Sequence, residues 1–230
     1  MEDTPRDRVR ARLAVELADL ELDEEDLEAA LELTEQVRDA ARAVAGQADA
    51  NGAWPTLAVG EATHALAETA IDEEIEEDRS AGFGPDCKAG CSACCHIPVS
   101  ATASDIAVLI AWLDDQKEEI RSDVIRRTYE SLPRASGKEP RGVLPCPLLD
   151  LELGTCRAYE ARPLACRGCL SDDARQCVPG KEILAFVAPQ VIARSAATGV
   201  RLVLAERGED GAYGDLIVGL ASAFDAITAS

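Results

Sequence analysis

The sequence predicts a mainly α-helical protein, with helices around an irregular cysteine-rich centre that metal staples together. Three observations carry this expectation. First, 47% of the 230 residues are hydrophobic but only 3% are aromatic. The core must therefore be filled by Ala, Val, Leu and Ile, which suits close-packed helices better than a β-sandwich. Second, apolar residues recur at helical spacing over much of the chain. Third, nine cysteines gather in two sets between those stretches.

In chain order, Val9, Leu13, Leu17 and Leu20 predict a first helix over 8–21. Asp23 is placed to cap a second, with Glu24, Glu25 and Asp26 in its first turn. Leu27, Leu31, Thr34, Val37, Ala41 and Val44 mark the buried face of that helix, and 46–52 reads as a loop between two glycines. Pro55 suits the first turn of a third helix running through Leu57, Leu66 and Ile71. The acidic run 72–78 reads as its solvated last turn or as a tail. Within this helix Glu61 and His64 form a Glu-x-x-His pair, with Glu68 following. Di-iron bundles use that pair twice. Here it occurs once, and a partly buried histidine in a helical interior is the simpler reading.

Ser100 or Ser104 is expected to cap a helix carrying Ile106, Leu109, Ile110 and Leu113, and a further helix carries Ile120, Val124, Ile125 and Tyr129. Residues 132–142, with Pro133, Gly137 and Pro140, read as an exposed loop. Residues 144–150 are too proline-rich for a helix, and 154–156 make a turn. A largely helical stretch over 181–206 should kink or divide at Pro189, and 215–227 offers a last helix. No internal repeat is visible. The expected organisation is an acidic helical extension over 1–80, followed by a cysteine-cluster domain with C-terminal helices over 81–230.

Charge bounds the function. The formal net charge is −20; residues 1–80 hold 23 acidic and 7 basic side chains, and 81–230 hold 20 and 16. Such a surface repels phosphate backbones, so nucleic acid is not an expected partner. No apolar run is long enough to span a bilayer. The first residues have mixed charge and no apolar stretch after them, unlike a secretory signal, so the expected compartment is the cytoplasm. In a reducing compartment clustered cysteines bind metal more often than they form disulfides.

The densest stretch holds Cys87, Cys91, Cys94 and Cys95, with His96 next. In a helical turn these thiols would share one face; Gly90 would loosen that turn and Pro98 would end it. The second set is Cys146, Cys156, Cys166, Cys169 and Cys177. Arg157, Arg162 and Arg167 stand beside it. Positive charge favours the thiolate, the form that binds metal; the alternative is ordinary surface ion pairing. Asp150 and Asp173 could be oxygen ligands or bases, although turn formation is the simpler reading. His96 could ligate or could orient a thiolate.

These motifs are similar to those of the YkgJ-type cysteine-cluster family, described as a zinc- or iron-chelating domain, whose distant relatives include flagellin lysine N-methylases. The resemblance rests on Cys87-x3-Cys91-x2-Cys94-Cys95, on Cys146 through Asp150, and on Cys156-x2-Tyr159-x2-Arg162-Pro163-x2-Cys166-Arg167. Gly168-x2-Ser171-x-Asp173-x3-Cys177 extends it, so it covers about 85–180. The family is labelled CxxCxxCC, and the first gap here holds three residues. The resemblance implies Cys87, Cys91, Cys94, Cys95, Cys146, Cys156, Cys166 and Cys177 as metal ligands, and leaves Cys169 outside the pattern. Eight thiolates suit two four-sulfur zinc sites, one site with spare thiols, or an iron–sulfur cluster. The expected function is chelation of zinc or iron. The alternative, resting on the relatives alone, is an iron-dependent or methyl-transferring enzyme acting on a protein partner.

Overall fold

The structure is a computed structural model and describes residues 4–181, 183–209 and 214–229. It is mainly helical. The helices are α1 (Pro5–Glu16), α2 (Glu24–Asn51), α3 (Pro55–Ser80), α4 (Ala103–Asp114), α5 (Glu118–Ala135), α6 (Leu164–Arg167), α7 (Val187–Glu206) and α8 (Leu216–Ala229). Strands of two residues make two small antiparallel pairs: β1 (Ser100–Ala101) with β4 (Gly214–Asp215), and β2 (Leu149–Asp150) with β3 (Thr155–Cys156). Among the described residues no helix is long and apolar enough to cross a membrane.

The helices start where local chemistry directs. Asp23 caps α2 by accepting from Asp26 N, and Pro55 opens α3. The cap of α4 differs from expectation. It is Thr102, whose hydroxyl accepts from Asp105 N while the Asp105 carboxylate accepts from Thr102 N. Neither Ser100 nor Ser104 caps the helix.

Other boundaries also move. Residues 46–51 are not a loop, because α2 continues through Gly46 to Asn51 and ends at Gly52 with φ 67°. The acidic run 72–78 stays as expected, forming the last turns of α3 with Asp72, Glu73, Glu76 and Glu77 exposed and Ile75 buried. Residues 132–135 complete α5 with Pro133 inside it, so the exposed loop begins later. Pro189 lies in the first turn of α7, where the missing N–H costs nothing, so it neither kinks nor divides that helix.

Three apolar clusters fill the interior. Val9, Leu13, Leu17, Ala30 and Leu31 join α1 to α2. Val37 and Ala41 of α2 and Val59 and Ala67 of α3 meet Leu164 of α6 and Ala196, Val200 and Leu204 of α7. That cluster draws on both sides of residue 80. The third joins α4, α5 and α8 through Leu109, Leu113, Val124, Leu220 and Phe224, with Cys146 and Cys156 packed against it. The cysteine-rich segments lie where α6 and the short strands meet these helices.

Candidate metal centre

Backbone hydrogen bonds stitch the cysteine segments into two groups. In the first, Asp86 N donates to Ser171 O (2.9 Å) and Ala174 N to Asp86 Oδ2 (3.2 Å). The Cys87 sulfur accepts from Ser171 N at 3.3 Å, and the Cys177 thiol faces Asp173 O at 3.9 Å. In the second, Cys146 N donates to Cys95 O (2.7 Å) and Leu149 N to Cys146 O (3.1 Å). Leu149 then pairs with Cys156 across β2 and β3. Buried Arg127 donates to the carbonyls of Leu149 and Cys146, at 2.6 and 2.8 Å, and fixes that loop. The groups touch where Gly154, at φ 67°, presents its α-carbon to the Gly90 carbonyl. A Cβ there would stand 3.1 Å from that oxygen.

Cys94 and Cys95 lie between the groups on a 3-10 turn, Ala93–His96. The single helical face expected for Cys87, Cys91, Cys94 and Cys95 is therefore not formed. Gly90, at φ 89°, turns the chain out of any helix before Cys91. The neighbouring thiols of Cys169 and Cys95 instead hold the Cys94 pKa well below the ordinary thiol value. Burial pushes the Cys146 thiol up to about 12 and the Cys166 thiol well above its ordinary value.

Residues 86–179 match the family model CxxCxxCC, described as a "Putative zinc- or iron-chelating domain". Over this segment the chain is similar to that family. The match begins beside Cys87 and ends two residues after Cys177, so it takes in all nine cysteines. No curated protein and no solved structure matches the chain.

The donor chemistry of this segment fits a thiophilic ion. All nine thiols are free and partly buried. Arg162 Nε is buried without a hydrogen-bond partner, and its guanidinium acts electrostatically on Cys94, Cys156 and Cys166. A cation in that position would offset surplus negative charge on thiolates gathered around a bound ion. Among the described residues, no group of three or more Cys, His, Asp or Glu side chains is placed to hold a metal ion.

The other candidates divide clearly. Of the three arginines, only Arg162 faces several thiols; it also stacks on Tyr159, 4.1 Å from the ring centre. Arg157 pairs with Asp123 at 2.7 Å. Arg167 is buried and binds Glu160 O, Arg162 O and Glu68. Asp150 and Asp173 shape turns, Asp150 accepting from Glu152 N and Leu153 N and Asp173 from Arg175 N. His96 donates from Nδ1 to Ser92 O, which orients its ring. His64 is buried and bonds to Asp105 at 2.7 Å, while Glu61 is exposed and Glu68 binds Arg167.

Cys169 is the thiol the family pattern passes over, yet it lies directly against Cys94. Cys166-x2-Cys169, a metal-ligand spacing in its own right, was the signal for it. A cleft of about 830 Å³ opens beside these sulfurs, with Cys94, Cys166 and Cys169 among its walls. Gly168 sets their position. A Cβ there would lie 2.6 Å from Pro189 O and 2.8 Å from the Ala193 Cβ. Gly168→Ala is therefore expected to force α6 off α7 and lower stability by about 1–3 kcal/mol, read as a lower urea midpoint.

Proposed function

We propose that the thiols of Cys87, Cys91, Cys94, Cys95, Cys146, Cys156, Cys166 and Cys177 are the donor set for zinc or iron, with Cys169 outside it. The protein would be a metal-binding protein of a reducing, cytoplasmic setting. The observation that carries this reading is the joining of separated cysteine segments by backbone hydrogen bonds, Asp86 N to Ser171 O beside Cys87 and Cys146 N to Cys95 O. A soft donor set of this kind suits zinc, as four-sulfur sites, or iron. The chain's own residues supply the rest. Arg162 offsets charge, and Arg127 and Ser171 hold the loops that carry Cys146 and Cys87.

Protein purified without oxygen is expected to carry one or two ions of zinc or iron per chain, measured by elemental analysis. A brown preparation assigns iron–sulfur chemistry and a colourless zinc-loaded one assigns zinc. Absence of both metals from anaerobically prepared, folded protein would overturn the reading.

A further inference from the structure

The cleft of about 830 Å³ is walled by distant parts of the chain. The end of α1 and the turn after it bring Val15, Glu16, Asp19 and Glu21. The approach to α7 and its first turns bring Lys181, Leu184, Val187 and Arg194. Three large apolar side chains of these walls stand open to water: Val15 is 76% exposed, Leu184 67% and Val187 46%. Apolar groups left bare around a concave site mark a place where a partner docks.

The charges there are not all spent within the chain. Glu16 pairs with Arg201 and Asp19 with Arg194. Among the described residues, the exposed Glu21 carboxylate takes no hydrogen bond or ion pair, and Lys181 has no carboxylate partner. Glu21 is also, among the described residues, the one non-glycine with a positive φ, at 52°. A β-carbon makes that left-handed conformation costly, and glycine would serve a mere turn better. Such strain persists where a side chain is kept for another purpose. The acidic first turn of α2, Glu24, Glu25 and Asp26, follows directly.

We propose that this cleft docks a segment of a partner protein in which an apolar side chain stands beside a lysine or arginine. The apolar side chain enters among Val15, Leu184 and Val187, and the cation pairs with Glu21. Charge selects this occupant. A chain of net charge −20 repels nucleic acid, an anionic lipid surface and a second copy of itself, and it draws a cationic protein. Seated there, the segment covers Cys94, Cys166 and Cys169, which also line the cleft, whether or not they hold metal.

The test is selection of a random heptapeptide phage library on the full chain under reducing conditions, then calorimetric titration of the most enriched peptide into parent and variant proteins. The expected peptides set Leu, Ile, Met or Phe beside Lys or Arg. Leu184→Asp should weaken binding about tenfold or more, and Glu21→Gln about 2–5-fold. Lys181→Glu should tighten it. Glu73→Gln, on the exposed acidic run of α3, should leave it unchanged. Glu21→Gly should weaken the peptide and yet raise the urea midpoint, because it relieves the left-handed strain. These substitutions all fall on exposed side chains, so the fold is spared. No enrichment, enrichment of acidic or uncharged peptides, or equal binding to Leu184→Asp would overturn the docking site. An equal loss on Glu73→Gln would reduce it to general charge attraction and overturn it too. A Glu21→Gly protein less stable than the parent would show that the carboxylate serves the turn and would remove it from the site.

Discussion

A Cys166→Ser protein is expected to retain less metal than the parent and to be cut by protease across residues 86–179. Cys166 sits on α6, whose Leu164 is buried with Val37, Val59 and Val200. An ion that takes Cys166 together with sulfurs from the earlier loops closes a long stretch of chain and ties it to that core. The free energy of such binding becomes folding free energy, about 10 kcal/mol or more for a structural zinc site. A whole domain is stable by only about 5–15 kcal/mol, so weakening one site is enough to loosen the segment. Cys169→Ser, three residues away, is the control and should keep its metal and its protection. Unchanged metal content and unchanged cleavage in Cys166→Ser would mean that Cys166 is no ligand and that the two cysteine sets do not share a site.

Asp105→Ala is expected to cost about 3–5 kcal/mol, the penalty for breaking a buried, hydrogen-bonded charge. The fully buried Asp105 carboxylate accepts from His64 Nε2 (2.7 Å) and Leu164 N (3.0 Å) through one oxygen. Through the other it accepts from Thr102 N and the Thr102 hydroxyl, both at 2.7 Å. One side chain thus joins α3, the start of α4 and the start of α6. Burial opposes its ionisation, but the bonds from His64 and Thr102 outweigh that and hold its pKa below the ordinary value of 3.8. A carboxyl with a lowered folded pKa stabilises fully above the unfolded value, and the gain is lost as pH falls through the folded one. The wild-type advantage should therefore be complete near neutral pH and shrink below about pH 4. Urea titrations at several pH values would measure it. A difference under 1 kcal/mol at pH 7, or one that grows on acidification, would show that the carboxylate does not hold this junction.

Much of the fold is legible in the sequence because helices leave local marks. The apolar spacing of Val9, Leu13 and Leu17 and the chemistry of Asp23 and Pro55 act over a few residues, and the structure follows them. The errors arise where tertiary packing overrides a local signal. A mid-helix glycine costs about 1 kcal/mol relative to alanine. At Gly46 the burial of Ala45 and Ala48 on the same helix offsets that cost. Pro133 reads as a breaker, yet it falls in the final turns of α5. Thr102 was hidden between two serines equally able to cap, and only its reciprocal bond with Asp105 separates them.

The site is legible as a donor set and not as an arrangement. Cysteine spacing marks which residues belong together chemically. Whether Cys87 meets Cys177 depends on the hydrogen bond from Asp86 to Ser171, far along the chain, and local pattern carries no trace of that pairing. The role of Arg162, as opposed to its neighbours Arg157 and Arg167, likewise depends on which way each side chain turns in the finished fold.

The stitching of early loops to late ones also has a consequence in time. A ribosome adds about 5–20 residues per second. The 82 positions from Cys95 to Cys177 therefore take roughly 4–16 s to make. During that interval the first four thiols have been made and the set of their partners is still incomplete. Ser171, which the Cys87 loop must meet, is made near the end of that interval, and Asp215, which pairs with Ser100, arrives later still. A nascent chain therefore presents bare, closely spaced sulfurs to its surroundings before it can enclose them. Whatever metal or oxidant it meets first has a head start on the finished fold.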